Sequence, residues 1–129
     1  MEDRKLGTET DAAETVAAPQ ELSPAVRAAV EHIGHHHALR IRLIDLAVVA
    51  AKTPFQLIRA FRRETGTTPH AYLVRVRVLA GTLRLAAGEP IASIATAVGF
   101  VDQAHFTRHF KRIHGTTPRV YRIGASSRA

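Results

Sequence analysis

Residues 56–72 read Gln-Leu-Ile-Arg-Ala-Phe-Arg-Arg-Glu-Thr-Gly-Thr-Thr-Pro-His-Ala-Tyr, and residues 105–121 read His-Phe-Thr-Arg-His-Phe-Lys-Arg-Ile-His-Gly-Thr-Thr-Pro-Arg-Val-Tyr. The second stretch repeats the first at an offset of 49, with eight of 17 positions identical. Such self-similarity marks a duplicated structural unit, and two copies are too few for a solenoid. Leu57 and Phe61 stand at i, i+4, as do Phe106 and Phe110, with Ile113 extending the second stripe. This spacing predicts two amphipathic helices with those residues inward.

The flanks of each copy predict the rest of the unit. Upstream of the first, Leu43, Leu46, Ala47 and Ala50 share one helical face, then Thr53-Pro54-Phe55-Gln56 reads as a capping box with proline at the first helical position. Upstream of the second, Pro90 opens a segment with Ile91, Ile94, Ala95 and Val98 at i, i+3, i+4, i+7, Gly99 breaks it, and Asp102 caps the next helix. A short helix, a tight turn and a longer helix make a helix-turn-helix. The second turn is one residue longer than the first, so the match between the two front helices shifts by one.

Further out, Ser23-Pro24 starts a helix with Val26, Ala29, Val30 and Ile33 on one face, and Gly34 is expected to end it. Thr68-Pro69 starts a long helix ending at Ala86-Ala87-Gly88, with Leu73, Val76, Ala80 and Leu83 as its expected inward face. Thr117-Pro118 starts a last short turn or helix. The expected fold is all-α: two helix-turn-helix subdomains joined by a long linker helix, about seven helices in all. The boundaries read as a disordered acidic leader 1–22, a first subdomain 23–68, a linker helix 69–87, a second subdomain 88–123 and a disordered tail 124–129.

The net charge of +7 hides an asymmetry. Residues 1–22 hold six acids and two bases, hence −4; the remaining residues hold 16 bases and five acids, hence +11. A basic body points to a polyanion. The leader is either a solvated tail or a competitor of DNA for that body. Outside the inward stripes, Phe55, Ile58, Arg59 and Arg62 line one face of the first long helix, and Ala104, Thr107, Arg108 and Lys111 line the corresponding face of the second. Arginine reads guanine edges in a bidentate fork and methyl groups meet thymine methyls, so these faces suit a major groove. For Phe55 and Ile58 the alternative is packing in the core. Arg62, Arg63, Lys111 and Arg112, farther along each helix, are expected on phosphates, where the alternative is a solvated charged face.

These residues resemble the AraC/XylS family of transcription regulators. The resemblance rests on Leu46-Ala47, on Thr53-Pro54-Phe55 with Leu57, Arg59 and Phe61, and on Gly66-Thr67-Thr68-Pro69 with Tyr72. It continues through Ile94-Ala95, Val98-Gly99-Phe100, Asp102, Phe106, Arg108 and Phe110-Lys111 to Gly115, Pro118 and Tyr121-Arg122. It implies two recognition helices in successive major-groove segments about 34 Å apart. The base-reading positions it implies are Phe55, Ile58 and Arg59, then Gln103, Ala104, Thr107 and Arg108. Thr53 and Arg122 join the phosphate set. It further implies a short member that carries the DNA-binding domain alone and acts through its abundance, a cytoplasmic activator working on the nucleoid as a monomer on tandem half-sites.

Three departures weaken the first unit. Arg42 stands where the resemblance implies a Ser or Thr cap, Ala51 where the turn often has glycine, and Ile58 has no hydrogen bond to give a base. Gly81 in the linker helix stands where alanine is usual, at a cost of about 1 kcal/mol unless close packing requires it.

Other classes fare worse. The absence of cysteine excludes disulfides and zinc-thiolate sites. Adjacent His35, His36 and His37 point apart, and the His105/His109 pair is accounted for by the repeat, so no metal and no cofactor are expected. No catalytic constellation appears, so no catalytic residue is assigned. No run approaches the roughly 18 apolar residues of a membrane span, so no membrane partner is expected. Single-stranded RNA lacks a stacking platform, since the seven Phe and Tyr lie mostly inward. The expected partner is double-stranded DNA. The alternative is a degenerate member acting as a protein-interaction module on RNA polymerase or another regulator.

Overall fold

A computed structural model describes residues 22–128. Seven helices and no strand occur among the described residues: α1 (Pro24–His36), α2 (Leu43–Ala50), α3 (Pro54–Thr65), α4 (Pro69–Leu85), α5 (Ile91–Ala97), α6 (Gln103–His114) and α7 (Pro118–Arg128). The all-α expectation holds. Two compact units emerge. Among the described residues, one takes in Leu22–His32 together with Arg42–His70; the other takes in Ile33–Ile41 and residues 71–128.

In the first unit α2 packs on α3. Leu46, Ala47, Ala50, Leu57 and Phe61 are buried, with Val26 and Ala29 of α1. The capping box forms as predicted: Thr53 Oγ1 accepts from Gln56 N–H at 3.1 Å, and Thr53 N–H donates to Gln56 Oε1 at 3.0 Å. At the start of α2, Arg42 offers no acceptor for a cap. The reverse half of the box compensates, since Arg42 N–H donates to Asp45 Oδ2 at 2.8 Å. That backbone bond, then the Arg42 side chain, holds the Asp45 carboxyl below its usual range. A depressed carboxylate stabilises the fold above its unfolded pKa, and the contribution fades as pH falls through the folded value.

The turn between α2 and α3 is a Schellman motif. Ala51 N–H donates to Val48 O at 3.1 Å and Lys52 N–H to Ala47 O at 3.0 Å. Ala51 takes φ 57°, ψ 42°, and is the one non-glycine residue at positive φ among the described residues. The second unit repeats this motif: Gly99 N–H donates to Thr96 O at 3.1 Å and Phe100 N–H to Ala95 O at 2.9 Å, with Gly99 at φ 108°. The two turns therefore align at an offset of 48, and the helices after them at 49. The extra residue is Val101, which is 83% exposed.

The second unit is built around Val74, Val78, Leu85, Ile94, Ala95, Val98, Phe100, Phe106 and Phe110. Here the inward face of α4 differs from expectation. Leu73 is buried and Ala80 packs against the core as predicted, but Val74, Val78, Gly81 and Leu85 form the rest of the buried face in place of Val76 and Leu83, and Leu83 is 74% exposed. Apolar residues line nearly every side of α4, so periodicity alone does not choose the face. Gly81 chooses it: a Cβ there would lie 2.7 Å from Phe106 Cε1 and 2.8 Å from Cζ. The glycine is there for close packing.

Other boundaries shift. Gly34 does not end α1, which runs on to His36, because a glycine with helical φ weakens a helix without stopping it. Pro90 is the N-cap of α5 rather than its first residue. Ile113 is 40% exposed, beyond the reach of the core that holds Phe106 and Phe110. The tail expected at 124–129 is helical through Arg128, since Thr117 caps α7 and Arg122 anchors it. The leader expected over 1–22 lies outside the described residues except Leu22, which is buried.

Two substitutions test this packing. Gly81→Ala adds helix propensity of at most about 1 kcal/mol, but overpacking against a buried ring costs about 1–3 kcal/mol. The variant is expected to lose stability in urea denaturation, and a gain would show that the ring yields freely. A non-glycine residue in the left-handed region costs about 1–2 kcal/mol, part of which glycine returns as chain entropy. Ala51→Gly is therefore expected to stabilise the protein by about 0.5–1 kcal/mol in the same measurement.

Candidate nucleic-acid interface

Burial of Leu57 and Phe61 on one side of α3 dictates what its other side presents. Phe55, Arg59 and Arg62 are exposed and Ile58 is partly covered. Phe55 is 67% exposed, so the core-packing alternative fails for it. Its ring is not idle, because the Arg59 guanidinium carbon lies 5.6 Å from the ring centroid. A cation over an aromatic face is attracted by about 0.5–1 kcal/mol at an exposed site. Arg59 is thus partly held along its own helix.

In α6 the same logic runs through Phe106 and Phe110, both fully buried. Gln103, Ala104 and Arg108 are exposed and Thr107 is half-covered. Asp102 Oδ1 accepts from His105 N–H at 2.9 Å and caps the helix. His105 and His109 face each other at 3.3 Å between ring nitrogens and pack on Phe100, with ring centroids 5.5 and 5.7 Å away. They flank the exposed stripe and support it. Among the described residues no group of three or more His, Cys, Asp or Glu is placed to hold a metal ion.

The phosphate candidates divide. Arg62, Arg63, Lys111 and Arg112 are exposed in the last turns of α3 and α6. Cations there also complement the helix dipole, by about 0.3–1 kcal/mol. Arg112 donates to His109 Nδ1 at 3.0 Å while remaining exposed. Thr53 spends its hydroxyl on the cap of α3. Arg122 is the clearest reassignment: its guanidinium donates to the carbonyls of Leu85 and Glu89. It closes the C-terminal end of α4 and is a structural staple.

Arg119 is a further cation beside α6. It is exposed and lines a cleft of about 750 Å3 together with Gln103 and Thr107 of α6 and Thr117, which caps α7. Sequence reasoning missed it. The repeat carried a signal, since Arg119 stands 49 residues after His70, but the two residues differ.

A second set of contacts shapes this unit. Arg77 Nε donates to His37 O at 2.7 Å and its Nη2 to Leu39 O at 2.9 Å. Burial lowers the pKa of this guanidinium from its ordinary value. Gly99 lies directly on this staple, where a Cβ would come within 2.6 Å of Arg77 Nε and 2.7 Å of His37 O. Gly99 is therefore required twice, by its positive φ and by its neighbours.

Residues 46–123 match a helix-turn-helix domain family. Among curated proteins, the chain is 32% identical over 93 residues to the probable transcriptional regulator LumQ of Photobacterium leiognathi, covering 71% of this chain and 38% of that protein. It is 32% identical over 111 residues to the arabinose operon regulatory protein of Escherichia coli strain K12, covering 80% and 36%. The chain thus spans less than two-fifths of the length of either relative. Among solved structures, the DNA-binding domain of AdpA, a global transcriptional factor in complex with a target DNA, superposes with a TM-score of 0.77 at 26% identity, covering 82% of this chain and 96% of that one. With a family match over residues 46–123 and two capped, duplicated helix-turn-helix units, the chain belongs to the AraC-type helix-turn-helix family of transcription regulators.

Proposed function

We propose that the chain activates transcription by inserting α3 and α6 into adjacent major-groove segments of double-stranded DNA, reading two non-palindromic half-sites as a monomer in the cytoplasm. The observation that carries this reading is the duplicated outward stripe. Arg59 recurs as Arg108 and the basic Arg62 as Lys111, each set opposite a buried pair of apolar side chains, while Phe55 and Ile58 correspond to Ala104 and Thr107. A solvated face has no need to repeat at one offset. Base reading falls to Gln103, Ala104, Thr107 and Arg108 in the second unit and to Phe55, Ile58 and Arg59 in the first. Lys111, Arg112, Arg62, Arg63 and Arg119 grip phosphates. The units are unequal, because Arg59 leans on Phe55 and Ile58 offers only van der Waals contact. Exposed Ile44 and Val48 on α2 favour a second reading for the first unit, a protein contact with RNA polymerase or another regulator.

Selection of bound sequences from random duplex DNA tests the proposal, which requires a two-part site. Sequence-blind retention that vanishes with salt would favour the protein-contact reading instead. Arg108→Ala is expected to cost about 1–3 kcal/mol of specific binding and to relax choice at one base, the worth of a bidentate contact. Arg59→Ala should cost less, and an equal or larger loss would reverse the ranking of the two units. Arg119→Ala should weaken binding uniformly across sequences and lower the slope of log K against log salt by about 0.9, the value of one phosphate contact.

A further inference from the structure

We propose that the acidic leader, residues 1–21, docks on the basic face of α3 and competes there with DNA phosphate. This rests on reading α3 as a DNA-binding face. The first observation is where the leader joins the fold. Ser23 N–H donates to Glu64 Oε1 at 2.7 Å, and Arg27 Nη2 donates to Leu22 O at 2.9 Å. The chain is thereby tied to the C-terminal half of α3, one residue from Arg63. A cleft of about 420 Å3 opens at that point, with Ser23, Lys52, Arg63 and Glu64 among its walls.

The second observation is charge. The leader carries six acids against two bases. The cleft it enters beside is lined by exposed Lys52 and Arg63, and the same helix also exposes Arg59 and Arg62. Glu64 is the one acid of α3, and its carboxylate accepts the Ser23 N–H. The leader's carboxylates therefore meet a surface of opposite sign at the place where they are tethered.

Reach is ample. An extended chain spans about 3.3–3.6 Å per residue, so Glu14 reaches about 25 Å from Leu22 and Glu9 about 45 Å. A 12-residue helix is about 18 Å long. A short tether holds a ligand at an effective concentration on the order of millimolar. Each exposed ion pair is weak and salt-sensitive, so a specific site displaces the leader while random duplex competes with it. The leader raises selectivity by depressing non-specific retention.

The absence of cysteine allows a direct test. Ala13→Cys gives a single thiol for a paramagnetic label in the full chain, and backbone amide broadening is recorded without DNA. In parallel, random duplex binding is compared for the full chain and for a variant carrying Glu9→Gln, Asp11→Asn, Glu14→Gln and Glu21→Gln. The expected result is broadening along α3 that high salt abolishes, with a gain in non-specific affinity of about three- to tenfold at low salt that closes as salt rises. No broadening, broadening on α6 instead, or equal affinities would overturn the proposal. Broadening on α3 with no duplex binding by either form would leave the contact standing and sink the DNA reading; sequence-specific binding with no broadening would do the reverse.

Discussion

One left-handed residue between two helices governs each unit. Ala51 and Gly99 reverse the chain so that the helix after the turn packs back on the helix before it. That packing buries Leu57 and Phe61 in one unit and Phe106 and Phe110 in the other. The outward stripe is the complement of the buried one. The direction in which Arg59 and Arg108 point is therefore set by the turn before any contact with DNA is considered. The same backbone geometry is strained with alanine and relaxed with glycine, which already distinguishes the two units.

The second unit adds constraints that the first lacks. Phe106 occupies the space that a side chain at position 81 would need, and Gly99 admits the Arg77 staple onto the carbonyls of His37 and Leu39. Arg122 closes the end of α4 on two further carbonyls. Three arginines in this unit thus serve two physical ends: Arg77 and Arg122 satisfy backbone acceptors, and Arg108 is exposed on the surface. A cation's type does not reveal which it does, because a guanidinium suits a carbonyl, a phosphate and a guanine edge alike.

Electrostatics and stability act together on the same side chains. The basic residues in the last turns of α3 and α6 complement the helix dipole, and the same positions suit a phosphate backbone. Their charge also sets the field that an acidic segment of the same chain would meet. The first unit carries a hydrophobic tip at Phe55 and anchors the chain at Ser23.

Local signals were legible in the sequence. The Thr53/Gln56 box, the Asp102 cap, the stops at Gly66 and Gly115, the one-residue shift between the two turns and the family itself come from short-range chemistry written in consecutive residues. The candidate base-reading stripe was legible too, because two amphipathic helices cross-check each other through the repeat. Choices among equivalent apolar or cationic side chains were not legible. The inward face of α4, the exposure of Ile113, the extent of α7 and the contacts of Arg122 with backbone carbonyls depend on which atoms arrive from distant segments. A sequence determines what each segment can bury or bond. Only the packed structure decides which of several suitable partners fills the one available space, since close packing admits one arrangement where periodicity permits several.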